Sequence, residues 1–197
     1  MKYLSIILLV FIPFSSYSDE KVCEKLLAKH VGNWDTVIKG KVSINGNIAN
    51  QLNFNGKRQS KSMFGGKLIS SVFTLKGDNF NGGKSDTQGI GFLFWDKEEK
   101  TLRTLEIMST GMAFTTLFEV IDESSYKTVF EKQEGVKNSS GIEFSKDGAI
   151  QNSFMINETP EFGAVSEMTW KRTRTKDQKF KMDPVISTKT NEILIGL

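Results

Sequence analysis

From Trp34 onward the sequence repeats one short pattern, an alternation of apolar and polar residues with a period of two. Trp34, Thr36 and Ile38 alternate with Asp35 and Lys39, which is the spacing of a β-strand whose two faces differ. Ten further runs of this kind follow the first, and they are Ile48–Phe54, Gln59–Phe64, Lys67–Leu75, Ile90–Trp95, Leu102–Met108, Met112–Ile121, Tyr126–Lys132, Gly141–Phe144, Ile150–Ile156 and Ala164–Lys171. Short strands separated by turns at a spacing of about 8–12 residues are typical of a sandwich or barrel. We therefore expect an all-β fold, an antiparallel barrel of about ten strands.

The breaks between the runs consist of residues that favour turns. Asn45-Gly46 predicts a hairpin, because both residues tolerate the positive φ that a tight turn requires. Asn55-Gly56 and Gly65-Gly66 predict further breaks of the same kind. Before the first strand, residues 19–31 place Leu26 and Leu27 on one face of a predicted N-terminal helix.

The start of the chain predicts export. Lys2 is followed by an apolar run from Tyr3 to Phe14, and small residues stand at Ser16 and Ser18. This is the pattern of a cleavable signal peptide over residues 1–18, and an uncleaved anchor is the alternative. The apolar run is shorter than the roughly 20 residues that span a bilayer, so we expect no transmembrane segment in the mature chain. The predicted location is the periplasm or the outside of the cell.

The 197 residues predict one barrel domain over residues 19–172, followed by a tail over residues 173–197 that ends in the apolar segment Ile193–Leu197. The net charge is +3, from 26 basic and 23 acidic residues scattered along the chain, which does not indicate a nucleic-acid partner. Cys23 is the only cysteine, so an internal disulfide is excluded. The sequence leaves the oligomeric state open.

The alternation also indicates which side chains face the interior. Phe114, Thr116 and Phe118 share one face of their strand, and Tyr126 begins another apolar-rich face. Glu106 is either an interior carboxylate or ordinary surface charge. The residues that we predict to line a ligand cavity are Glu106, Met108, Phe114, Thr116, Phe118, Phe130, Asn152 and Phe154.

Two motifs carry a resemblance to a known group of proteins. Gly32-Asn33-Trp34 opens the first strand and Trp170-Lys171-Arg172 closes the last, and in this the chain resembles the calycins, which include lipocalins and fatty-acid-binding proteins. The resemblance implies that Trp34 and Arg172 pair to close one end of the barrel, a structural role. The segment Gly89–Asp96, with the strand after it, resembles a small uncharacterised family of secreted bacterial lipocalin-like proteins. The likeness covers roughly residues 26–172.

The sequence does not indicate a catalytic, metal or cofactor site. His30 is the only histidine, and it has no cluster of cysteine or carboxylate residues beside it in the sequence. Nitrobindin-like barrels hold haem through a histidine in the late strands, and this chain has none there. The Gly77–Ser85 loop lacks the glycine spacing of a phosphate loop, and no Gly-x-Ser-x-Gly motif is present.

Three functions stay open at this point. The first is the binding or carriage of a small hydrophobic molecule inside the barrel, against the simpler interpretation that the Phe and Met side chains only fill the core. The second is a barrel enzyme that acts on a lipid-like substrate, for which Glu106 is the candidate ionisable group. The third is a protein-interaction module that uses the barrel surface and the tail over residues 173–197.

Overall fold

The computed structural model describes residues 20–176 and contains one helix followed by ten strands. The predicted signal peptide, and residues 177–197 of the predicted tail, lie outside the described residues. The elements are α1 (Glu20–His30), β1 (Gly32–Ile44), β2 (Asn47–Met63), β3 (Leu68–Asp78), β4 (Lys84–Asp96), β5 (Thr101–Met108), β6 (Ala113–Val120), β7 (Ser125–Thr128), β8 (Lys137–Phe144), β9 (Ile150–Thr159) and β10 (Ala164–Thr175).

The strands form a closed antiparallel barrel. Each strand pairs with its neighbours in sequence, and β1 pairs with β10 from Asn33↔Thr175 to Ile44↔Ala164. Asn45 and Gly46 join β1 to β2 with φ angles of 50° and 80°, as the hairpin prediction requires. The predicted fold class, an antiparallel barrel with a short N-terminal helix, is confirmed. This architecture fits the calycin resemblance, while membership of the particular bacterial family stays a prediction.

The predicted break at Asn55-Gly56 is wrong, because β2 runs through it without interruption. Gly56 pairs with Leu75 of β3, and a Cβ at Gly56 would overlap the carbonyl oxygen of Thr74. The glycine therefore permits the close approach of a neighbouring strand rather than a turn. Because β2 continues through Gly56, Arg58 lies on the same face of the strand as Phe54.

The helix α1 closes one end of the barrel. Leu26 and Leu27 are fully buried there, and each contributes about 1.5–3 kcal/mol by leaving water. The hydrophobic core at this end consists of Cys23, Leu26, Leu27, Trp34, Ile69, Leu93, Leu102, Val120, Tyr126 and Phe144. Lys25 bonds Glu123 at 2.7 Å and Lys97 bonds Glu20 at 2.7 Å, which ties the helix to two loops. No helix within residues 20–176 is long and apolar enough to cross a membrane.

Closure at this end uses a different arginine from the one that the resemblance implied. Arg174, not Arg172, pairs with Trp34 across β1 and β10, and its guanidinium lies 4.5 Å from the indole centroid. Arg174 also donates to the carbonyl oxygens of Lys29 and Val31 at the end of α1, at 3.0 and 2.5 Å. The expected Trp34–Arg172 pair is wrong because β10 continues to Thr175, beyond the predicted end at Lys171, and so brings a later arginine to this position.

Candidate ligand-binding site

The barrel interior contains two cavities that meet at its middle. The closed-end cavity, of about 410 Å³, lies next to α1, and its interior-facing lining includes Ile69, Ser71, Leu93, Thr104, Thr116, Phe118, Tyr126, Thr128, Ile142, Gln151 and Ser153. The mouth cavity, of about 400 Å³, lies toward the opposite end, and its lining includes Thr36, Ile38, Leu52, Phe54, Phe73, Leu75, Ser85, Thr87, Met108, Thr110, Met112 and Met168. Both volumes lie within the range of about 300–1,000 Å³ that is usual for sites holding one small ligand.

Three charged side chains stand where the two cavities meet, and we call Arg58, Glu106 and Arg172 the central cluster. Nη2 of Arg58 donates to Oε1 of Glu106, and these two side chains are 13% and 20% exposed. The guanidinium of Arg58 also lies 5.1 Å from the ring centroid of Phe73. All three members of the central cluster, together with Phe114 and Trp170, line both cavities. A molecule inside the barrel would contact these charges from either side.

Arg172 is held by a chain of hydrogen bonds that runs toward α1. Its Nη1 donates to Oε1 of Gln151 at 2.7 Å, and Nε2 of Gln151 donates to the hydroxyl of Tyr126 at 3.1 Å. The Tyr126 hydroxyl lies 3.1 Å from Nε2 of His30. The hydroxyl accepts from Gln151 and has one proton of its own to donate. Donation of that proton to His30 requires an unprotonated Nε2, which is the tautomer with its proton on Nδ1.

Burial decides the charge states along this chain. The pKa of His30 is held well below its ordinary value of 6.5, first by burial and then by the positive charges of Arg172, Arg58 and Arg174. Burial raises the pKa of Tyr126 to about 12, so the phenol keeps its proton. Burial and the nearby Arg58 lower the pKa of Arg172 to about 10, which leaves the guanidinium charged at neutral pH. The interior positive charge is thus concentrated on the central cluster.

The described part of the protein does not provide a hydrogen-bond partner for every donor of the central cluster. Within residues 20–176, the buried Nε atoms of Arg58 and Arg172 have no hydrogen-bond partner. A buried donor without an acceptor costs about 1–3 kcal/mol. Buried donors without an acceptor are rare in native proteins and call for an explanation. A bound ligand that accepts these hydrogen bonds is such an explanation.

Two glycines of the Gly89–Asp96 segment make room for these interior side chains. A Cβ on Gly89 would overlap the Phe73 ring and lie 2.7 Å from the carbonyl oxygen of Ile107. A Cβ on Gly91 would lie 3.1 Å from Nη2 of Arg58 and 3.3 Å from Oε1 of Glu106. The glycines in this segment therefore have a packing role that shapes the cavity wall.

Five of the eight predicted cavity residues face the interior. Strand pairing places Glu106 opposite Phe114 on one side and Gly91 on the other. Glu106 and Phe114 line both cavities, and Gly91 lines the closed-end cavity. Met108 lines the mouth cavity, whereas Thr116 and Phe118 line the closed-end cavity. Glu106, the residue on which the enzyme alternative rests, is an interior carboxylate paired with Arg58.

Three predicted residues do not face the interior. Asn152 and Phe154 lie on the outer face of β9, and Phe154 is 43% exposed, with its ring above Gly141. Phe154 nevertheless borders the closed-end cavity. The inward positions of β9 belong to Gln151 and Ser153, whose side chains line the closed-end cavity. A shift of one residue exchanges the two faces of a strand, and here hydrogen bonding of Gln151, rather than apolar character, selects the inward face.

Phe130 is displaced for a different reason. The predicted strand Tyr126–Lys132 ends at Thr128 in the structure. Phe130 lies in the following loop and lines a surface depression with Glu131 and Lys132 instead of the barrel interior. The expectation that Asn152 and Phe130 line the interior cavity is therefore wrong, whereas Phe154 borders the closed-end cavity from an outward-facing position.

The residues that sequence reasoning missed are polar. Arg58 was hidden by the assumed turn at Asn55-Gly56, and a continuous strand would have placed it on the face of Leu52 and Phe54. Gln151 was missed because the apolar face of β9 was assigned to the interior. Among residues 20–176 no three His, Cys, Asp or Glu side chains lie close enough to hold a metal ion.

No protein-family model matches this sequence, and no curated protein matches it. Eighteen solved protein chains are similar in shape, among them the following three. The S-type phycobiliprotein lyase CPES from Guillardia theta has a TM-score of 0.47 and 13% identity, over 79% of this chain and 94% of that chain. A de novo designed fluorescence-activating β-barrel has a TM-score of 0.38 and 12% identity, over 77% and 98% of the two chains. A protein of unknown function from Nostoc punctiforme has a TM-score of 0.29 and 6% identity, over 77% and 98%. The assignment of the barrel here rests on its own strand pairing.

Proposed function

We propose that this protein binds and carries one small hydrophobic molecule inside its barrel. The observation that carries the proposal is the pair of cavities, of about 410 and 400 Å³, which the closed wall and α1 surround. Ile69 and Leu93 line the closed-end cavity and Phe73 and Met108 line the mouth cavity, together with hydroxyl, amide and charged side chains. A small-molecule site of this kind holds its ligand by apolar contact and orients it by polar groups. A barrel whose Phe and Met side chains only filled the core would leave no such space.

Native mass spectrometry of the purified protein tests whether the barrel holds a molecule, and titration with an apolar fluorescent probe tests whether it accepts one. Replacing Thr116 by tryptophan adds a large ring on the interior face of β6, so we expect probe binding to fall at least about tenfold. Thr115→Trp makes the same change on the exposed outer face of the same strand and is the matched control. Circular dichroism establishes that both variants fold. Equal probe binding by the two variants, or an empty barrel without affinity for apolar probes, would overturn the proposal.

We further propose that the protein acts in the periplasm or outside the cell. The support is the predicted signal peptide over residues 1–18, with its basic start, short apolar run and small residues before Asp19. Cell fractionation followed by N-terminal sequencing is the test, and we expect a mature chain that starts at Asp19. An intact Met1 on protein recovered from the cytoplasm would contradict export.

A further inference from the structure

We propose that the ligand is an amphipathic anion, an apolar body with a singly or doubly charged acidic head group, and that Arg172 and Arg58 bind the head group. This inference rests on the proposed carrier function and names the chemistry of its ligand. Two observations carry it, namely the charge of the central cluster and the unpaired donors on both guanidinium groups.

The first observation is an excess of positive charge in the barrel interior. Arg58 and Arg172 are opposed only by Glu106 within the central cluster, and Glu106 is bonded to Arg58. Among the described residues no carboxylate forms an ion pair with Arg172. Glu106 attracts it from beyond ion-pair distance, and the Arg172 side chain bonds only the uncharged amide of Gln151. Charged groups taken out of water are usually paired, so an unpaired guanidinium in a cavity calls for an anion.

The second observation is the geometry of the unused donors. A guanidinium has donors arranged as a fork that matches two oxygens of a carboxylate, sulfate or phosphate group. The Nε atoms of Arg58 and Arg172 are buried without a partner in the described part of the chain. Gln151 fixes Arg172 through Nη1 and leaves Nε without a bond to the described residues. The hydrogen bond to Gln151 thus holds the Arg172 guanidinium in place without neutralising its charge.

The two cavities differ in a way that orients such a ligand. The closed-end cavity carries hydroxyl groups close to the central cluster, from Ser71, Thr104 and Thr116. The mouth cavity also carries hydroxyl groups, from Thr36, Ser85, Thr87 and Thr110, but more of its surface is apolar, from Leu, Phe and Met side chains such as Met108 and Met168. A head group at the central cluster would face the hydroxyl groups, and its apolar body would extend toward the mouth.

The test compares dodecanoate with dodecanol, each below the concentration at which it aggregates, by isothermal titration or by intrinsic tryptophan fluorescence, to which Trp170 in the cavity wall contributes. We expect dodecanoate to bind about 10- to 100-fold more tightly, the range set by a hydrogen bond to a charged group. Dodecyl sulfate and dodecyl phosphate distinguish the acidic groups, and sodium acetate tests a small free anion. Acetate binding as tightly as dodecanoate would overturn the amphipathic part of the proposal.

Gln151→Glu places a carboxylate beside Arg172 with little change of shape, and so removes the excess charge. We expect it to abolish the preference for dodecanoate while dodecanol still binds. Asn152→Asp makes the same chemical change on the exposed outer face of β9 and should leave both affinities unchanged. If Gln151→Glu does not fold, Arg172→Gln with Lys171→Gln as its outward control replaces the pair.

The outcomes separate this inference from the carrier function. Equal affinity for dodecanoate and dodecanol in the unmodified protein refutes the anion and leaves the carrier function standing. A preference for dodecanoate that survives both Gln151→Glu and Arg172→Gln refutes the assignment to the central cluster. If none of the amphiphiles binds, both the inference and the carrier function fail.

Discussion

Replacing Arg174 by methionine should lower the free energy of unfolding by about 1–3 kcal/mol, because this side chain joins three parts of the closed end. Its stacking on Trp34 is worth about 0.5–1 kcal/mol at an exposed site. A positive charge at the end of a helix adds about 0.3–1 kcal/mol, and here it donates to two terminal carbonyl groups, those of Lys29 and Val31. Hydrogen bonds contribute about 0.5–1.5 kcal/mol each, and the exposure of Arg174 places them in the lower part of that range.

Urea unfolding followed by far-ultraviolet circular dichroism measures this loss. Lys171→Met is the matched control, because Lys171 is an exposed cation on the outer face of the same strand and should change stability by less than about 0.5 kcal/mol. Arg174→Lys keeps the positive charge but lacks the planar guanidinium, so its loss of stability should lie between the losses of Arg174→Met and Lys171→Met. A loss for Arg174→Met no larger than the loss for Lys171→Met would refute this account of the closed end.

A double-mutant cycle separates Arg174 from the arginine that the calycin resemblance implied. Trp34→Phe combined with Arg174→Met should show a coupling energy of about 0.5–1 kcal/mol, because the two side chains are in contact. Trp34→Phe combined with Arg172→Met should show a coupling near zero, since Arg172 lies opposite Thr36. A larger coupling with Arg172 would contradict the observed register.

Two further predictions concern pH and packing. His30 takes up a proton near pH 6.5 when unfolded but resists it when folded, so the unfolded state binds more protons and stability should fall from pH 7 to pH 5, by up to about 1.4 kcal/mol per pH unit. His30→Gln should flatten that slope in urea unfolding at several pH values, and an unchanged slope would exclude His30 as its source. Gly89→Ala should cost about 1–3 kcal/mol through overlap with Phe73. Gly83→Ala, in the turn before β4, should be nearly neutral because the added Cβ would make only ordinary contacts with Asn79. Equal thermal stability of the two glycine variants would contradict the packing role.

The fold could be predicted from the sequence because it depends on a pattern that many residues share. The period-two alternation from Phe114 to Val120 matches the inward face of β6, and Asn45-Gly46 forms the predicted hairpin. Glycine within a strand is harder to interpret, since Gly56 resembles half of a turn signal until the neighbouring strand is known to approach it. The turn predicted at Asn55-Gly56 was enough to leave Arg58 out of the predicted cavity residues.

The candidate site was harder to predict because its wall is polar where the pattern assumes an apolar interior. On β9 the inward Gln151 and Ser153 alternate with the outward Asn152 and Phe154, so hydrophobicity alone selects the wrong face. What holds Gln151 inside is its bonding to Tyr126 and to a residue of β10. Contacts between residues far apart in sequence decide this face, and a single strand contains no signal for them.

The stability of the barrel and its proposed function are linked at the central cluster. A chain with one cysteine has no internal disulfide, so packing, hydrogen bonds and ion pairs must stabilise the barrel. Yet Arg58 and Arg172 each bury an Nε without a partner in the described residues, at a cost of about 1–3 kcal/mol. A ligand present at a hundred times its dissociation constant stabilises the folded state by about 2.7 kcal/mol, which is of the same size. Binding of an acidic head group would therefore offset the cost of the central cluster, and the loaded barrel should unfold at higher temperature than the empty one.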